Sequence, residues 1–122
     1  MDDIDYNSIL NNFLMTIFLV ANKDLQRKAW IQGIGPGCYD FNENMLDFLN
    51  YYEWILEKPE KYNINDYQIK LIKLFQNEYE AFYDNQNPDC LLPEKFIDSP
   101  RWTRVTEIAK RVLEAFNYKP ID

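Results

Sequence analysis

The chain reads as an all-α protein, a single-domain bundle of about five helices with a long loop before the C-terminal helix. Apolar residues recur at three- and four-residue spacing over several separate stretches, which is the period of one helix face. Helix-start signatures stand in front of two of them: Asn65 with Gln68 three residues on, and Ser99 followed directly by Pro100. With 47% hydrophobic and 16% aromatic residues and only 3 Gly, the sequence has ample material for a core. A length of 122 residues suits one domain, residues 1–122.

The first helix is expected over residues 4–21. Leu10, Phe13, Leu14, Ile17 and Ala21 lie on one side, while Ile9, Phe18, Leu19 and Val20 widen the apolar surface nearly all round, as suits an internal helix. Asp5 or Asp3 can cap its first amides, and Asn22-Lys23-Asp24 ends or bends it. A shorter helix, about 24–32, is expected to turn Leu25, Ala29 and Trp30 inward.

Gly33, Gly35, Pro36 and Gly37 predict a turn. A phosphate cradle needs a Lys-Ser/Thr pair after its last glycine, whereas here Asp40 and Glu43 occupy the helix start. Those two acids instead form a capping-box pattern opening a helix that runs to Glu57. Its core stripe is Phe41, Met45, Phe48, Leu49, Tyr52, Ile55 and Leu56. Glu43, Asn44, Asp47, Asn50, Tyr51 and Trp54 are expected wholly or partly outward.

The next helix, about 65–84, starts with Asn65 as cap and an Ile64–Ile69 staple. Ile69, Leu71, Ile72, Phe75, Tyr79 and Phe82 supply its apolar side, Lys70 and Lys73 sit opposite, and Glu78, Glu80 and Asp84 face solvent or a partner. Residues 85–98 hold two prolines and no clear period, so a loop is expected, with Leu91, Leu92, Phe96 and Ile97 tucked in. The last helix buries Trp102, Val105, Ile108, Ala109, Val112, Leu113 and Phe116. Its outer face mixes Arg101, Arg104, Lys110 and Arg111 with Glu107 and Glu114.

Composition narrows the function classes. The formal charge of -7, from 20 acids and 13 bases, opposes nucleic-acid binding, which needs clustered Lys and Arg, and suits a basic partner. The same charge also serves solubility alone. There is no histidine, so Ser-His, Cys-His and His-metal schemes are excluded. Cys38 and Cys90 lack a CxxC spacing and are expected as free thiols, and neither metal nor cofactor is expected. The apolar run Phe13 to Ala21 is too short to span a membrane and follows Asp2, Asp3 and Asp5 rather than positive charge. It reads as a buried helix of a cytoplasmic protein with no membrane partner.

No residue set stands out as catalytic. Asp40 with Glu43, or Asp47 with Tyr51, would be neighbours on a helix, but helix-start acids serve first as caps and exposed carboxylates lack the burial that catalytic acid-base work needs. Cys38 precedes a helix start without a base to activate it. Tyr39, Tyr51, Tyr52 and Trp54 are aromatic residues of the kind that anchor interfaces, and of these Tyr51 and Trp54 are the exposed candidates. The candidate partner-binding residues are therefore Glu43, Asp47, Tyr51, Trp54, Glu78, Glu80 and Asp84.

Two segments carry a resemblance. Ala29 to Phe48 holds a Trp-Ile-x-Gly approach and a Tyr-Asp-Phe-x-Glu helix start, and SPRWTRVTEIAKRVLEAF from Ser99 to Phe116 holds a Trp-x-x-Val-x-x-x-Ala-Lys helix. In these the chain resembles small immunity proteins of bacterial contact-dependent growth inhibition and related polymorphic toxin systems. The resemblance covers about half the chain. It implies a stoichiometric inhibitor of a cognate toxin C-terminal domain, often a basic nuclease, acting inside the producing cell, and it carries over no individual binding residue. Two other classes stay open: a small enzyme using Asp, Glu and Tyr alone, and an acidic regulatory adaptor or nucleic-acid mimic. The acids are clustered rather than evenly spaced, unlike a phosphate backbone.

Overall fold

The computed structural model describes residues 5–28, 41–84 and 96–118. The expected glycine turn, the Asp40 cap, the inward Ala29 and Trp30, Tyr39, both cysteines, and the tucked Leu91 and Leu92 lie outside the described residues, as does the side chain of Phe41. Within them the chain is an all-α bundle built from α1 (Tyr6–Ala21), α2 (Lys23–Gln26), α3 (Phe41–Glu57), α4 (Asp66–Asp84) and α5 (Pro100–Ala115), with a 3-10 turn at Pro59–Tyr62.

Local chemistry sets the ends of these helices. Asp5 caps α1 by accepting the Ser8 amide at 3.0 Å and the Ser8 hydroxyl at 2.7 Å, and these bonds hold its carboxyl below the usual carboxylate range. Asn22 closes α1 and caps α2, accepting the Leu25 amide at 3.1 Å. Asn65 and Gln68 bond reciprocally at 2.9 and 2.8 Å, the expected capping box. Ser99 caps α5 with Pro100 behind it, also as expected. At its far end Asn117, at φ 51°, lets Tyr118 and Asn117 donate back to Leu113 and Glu114, a Schellman closure.

Pairwise contacts give the topology. Phe13 meets Phe48 and Thr16 meets Asn44, so α1 and α3 run antiparallel. Asn44 and Phe48 meet Tyr79 and Phe75, which makes α3 and α4 antiparallel. Gln68 reaches Ala115 while Glu78 reaches Arg104, so α4 and α5 are antiparallel too. Finally Phe18 touches Tyr118 and Lys23 bonds Thr103, which returns α5 beside α1. The result is an up-down-up-down bundle of α1, α3, α4 and α5.

Aromatic rings fill its centre. Phe48 stacks on Phe13 at 5.4 Å and meets Phe75 edge-on at 5.1 Å, while Phe82, Phe96 and Trp102 form a second group with centroids 4.9 to 5.1 Å apart. Phe96 and Ile97 are buried, as the loop reading expects.

Two findings correct the sequence reading. Asn44, expected outward, is 1% exposed: its Nδ2 donates to the Tyr79 hydroxyl at 3.1 Å and the Thr16 carbonyl at 3.3 Å, joining three helices. The second helix, α2, continues in helical form through Lys28, the rest of the expected 24–32 span lying outside the described residues. Its buried residue is Gln26, which is not among those expected inward. Gln26 is 0% exposed; its Nε2 donates to the Leu19 and Val20 carbonyls at 2.8 and 2.7 Å, and its Oε1 accepts the Trp102 indole N–H at 2.8 Å. It thus adds a second bond to the Leu19 carbonyl, which also accepts the Asn22 amide, and caps the Val20 carbonyl at the end of α1. Both side chains are polar, but partners brought by other helices offset the cost of burying them.

Candidate binding surface

The outer face of α3 follows from helix geometry. At 100° per residue, Glu43, Leu46, Asp47, Asn50, Trp54 and Glu57 share one side, and the buried Asn44, Met45, Phe48 and Ile55 lie on the other. Glu43 and Asn50 are exposed, Asp47 is half-buried, and Leu46 and Trp54 stand 62% and 53% exposed. α3 contains Glu43, Asp47, Glu53 and Glu57 and no Lys or Arg. Large apolar groups and carboxylates therefore alternate over the same few square nanometres of surface, a composition suited to a desolvated contact ringed by charge.

Trp54 sits at the meeting point of three elements. Tyr51, half-buried, packs against it at 5.8 Å with the rings nearly perpendicular, which restrains the indole. Beside Trp54 opens a shallow groove of about 250 Å³ lined by Tyr6 and Ile9 of α1, Glu57 at the end of α3, Lys58, and Tyr62 of the 3-10 turn. Tyr6 and Tyr62 meet edge-to-face at 5.1 Å. The Tyr62 phenol is pushed above its ordinary pKa, mainly by burial and further by Tyr6 and the Glu57 carboxylate. The 3-10 turn that delivers Tyr62 ends on Asn63 at φ 57°, a left-handed position that asparagine tolerates.

The sequence-predicted residues divide. Glu43, Asp47, Tyr51 and Trp54 come together along α3 as expected. Glu78, Glu80 and Asp84 do not join them. Glu78 turns to α5, 3.4 Å from Arg104. Glu80 stands beside Tyr52, whose phenol burial first and then the Glu80 charge push upward. Tyr52 lies two residues, roughly 200°, round α3 from Trp54, so Glu80 belongs to a different side. Asp84 is exposed at the end of α4.

Tyr6, Ile9, Lys58 and Tyr62 were not legible as site residues. Each reads locally as ordinary helix or turn, and only tertiary packing gathers them round Trp54. Leu46 carried a signal, since a leucine on the side opposite Phe48 and Ile55 breaks the amphipathic pattern.

Among the described residues no group of three or more Cys, Asp or Glu is placed to hold a metal ion, and no helix is long and apolar enough to cross a membrane. Comparison with protein-family models, with curated proteins and with solved structures returns no match for this chain.

Proposed function

We propose that this protein is a binding protein, an immunity protein that neutralises a cognate toxin domain by occupying its functional surface with the outer face of α3. The toxin domain is basic, a nuclease being the class that best fits, and the inhibitor acts stoichiometrically in the cytoplasm without catalysis of its own. The observation that carries this reading is the juxtaposition on α3 of two well-exposed large apolar side chains, Leu46 and Trp54, with four carboxylates and no basic residue. Exposed apolar groups favour a contact that excludes water, and the acids select a partner of opposite charge and speed its capture.

The resemblance of the Ala29–Phe48 and Ser99–Phe116 segments to immunity proteins supplies the partner class. The test is to mix the purified protein with the toxin domain encoded immediately upstream and measure heat of binding. A one-to-one complex with loss of toxin activity is expected. Absence of any complex would reject the reading.

A further inference from the structure

The groove beside Trp54 has the wrong scale for a small-molecule site and the right chemistry for a single side chain. Its volume of about 250 Å³ falls below the roughly 300–1,000 Å³ of drug-sized ligand pockets, and it is open rather than enclosed. It is lined by three aromatic residues, Tyr6, Trp54 and Tyr62, together with Ile9, Glu57 and Lys58, and the Glu57 charge is felt by the Tyr62 phenol. Aromatic faces attract a cation through their quadrupole, most strongly for Trp, and a carboxylate within the same groove adds direct charge. The guanidinium of arginine is planar and weakly hydrated, so it loses less than an ammonium does on entering such a slot and can stack on a ring while bonding a carboxylate.

We propose that the groove formed by Tyr6, Trp54, Glu57 and Tyr62 captures one arginine side chain of a basic protein partner. This rests on the binding-protein reading above and names its anchoring contact. The occupant is chosen by charge complementarity: the groove lies at the end of a helix with four acids and no base, on a chain of net charge -7. Lys58, the one base among the lining residues, opposes a cation there by its charge, so the aromatic residues and Glu57 must outweigh it. Tyr51 keeps the indole in place, so little side-chain freedom is lost on capture.

The experiment uses the full chain and two small probes, N-acetyl-arginine methylamide and its neutral citrulline counterpart, followed by amide and indole NMR shifts. Weak, saturable binding of the arginine probe is expected, with shifts centred on the Trp54 indole, Glu57 and Tyr62. Citrulline should bind about five- to tenfold more weakly. Trp54→Ala should abolish the difference while the protein keeps its helical circular dichroism and a cooperative unfolding transition, and Lys58→Gln should tighten arginine binding about two- to threefold. Equal affinity for the two probes, or shifts that survive Trp54→Ala, would overturn the proposal. A toxin complex indifferent to both Trp54→Ala and Glu57→Gln would overturn it too, while leaving the immunity reading intact. Selective arginine capture without any toxin complex would uphold the groove and sink the immunity reading.

Discussion

α3 and α5 have much in common inside the bundle and differ outside it. Each turns one largely apolar stripe inward and each takes part in a buried polar bond that ties it to other helices: Asn44 to Tyr79 and Thr16 for α3, Trp102 to Gln26 for α5. Outside, α5 is mixed in charge and partly self-neutralised. Lys110 lies 3.5 Å from Glu107 on the same helix and Arg104 lies 3.4 Å from Glu78 of α4. α3 carries acids of one sign and holds Leu46 and Trp54 out in solvent. Folding explains the shared interior, because a bundle needs its inward faces filled and its buried polar groups bonded; among the described residues the Thr106 hydroxyl of α5 is a buried exception. It does not explain why α3 sets Leu46 and Trp54 in solvent among acids of one sign, and that is why a partner is proposed for α3.

The comparison predicts that inward substitutions cost stability on both helices and outward ones matter only on α3. Trp102→Phe would strand the Gln26 oxygen, and Asn44→Ala would remove the amide that bonds both the Tyr79 hydroxyl and the Thr16 carbonyl. Each is expected to lower unfolding free energy by about 2–3 kcal/mol in urea denaturation. A loss for one helix and none for the other would break the symmetry claimed for the interior.

Charge reversal probes the exteriors. Glu43→Lys with Asp47→Lys is expected to slow association with the proposed basic toxin domain about 10- to 100-fold at low salt and far less at high salt. Glu107→Lys with Glu114→Lys on α5 should leave the rate within about twofold. Stopped-flow association at two ionic strengths decides between them, and equal slowing by the two pairs would remove the reason for singling out α3.

The interior also predicts an alkaline limit. Burial pushes the Tyr79 phenol well above its ordinary value of 10.0. The folded protein therefore keeps a proton that the unfolded chain has lost, so the stabilisation is complete below about pH 10 and declines as pH rises past it, by roughly 1.4 kcal/mol per pH unit for each such group. Tyr52, Tyr62 and Tyr118 are shifted the same way, chiefly by burial. Tyr79→Phe should make the decline of melting temperature between pH 10 and 11 visibly shallower. An unchanged slope would mean that Tyr79 is hydrated.

The smallest effect is expected from Arg104→Ala. Its pair with Glu78 is solvent-screened, so the cost in thermal unfolding should stay within about 0.5 kcal/mol. A loss above about 1 kcal/mol would mean that the exterior of α5 holds the bundle together, contrary to the contrast with α3.

Much of this architecture is legible in one dimension because its causes are local. The Asn65–Gln68 box, the Ser99–Pro100 start and the apolar stripes of α4 and α5 depend on residues at most a few turns apart. The acid-rich face of α3 is equally local, since helix geometry alone gathers Glu43, Asp47 and Trp54. Asn44 fails as a sequence reading for the same reason in reverse. Polarity argues for solvent until another helix supplies a partner, and Thr16 and Tyr79 are 28 and 35 residues away.

The sequence by itself determined that this chain forms helices, where several of them start, and which side of α3 is acidic. Only tertiary packing decided that Gln26 and Asn44 are internal, that Glu78 pairs with Arg104 while the Glu80 charge falls near Tyr52, and that Tyr6 and Tyr62 line a groove beside Trp54. The physical reason is range. A cap or an amphipathic stripe is fixed by hydrogen bonds and periodicity within one segment, whereas a buried amide or a groove exists only once residues far apart in the chain have been brought within contact distance.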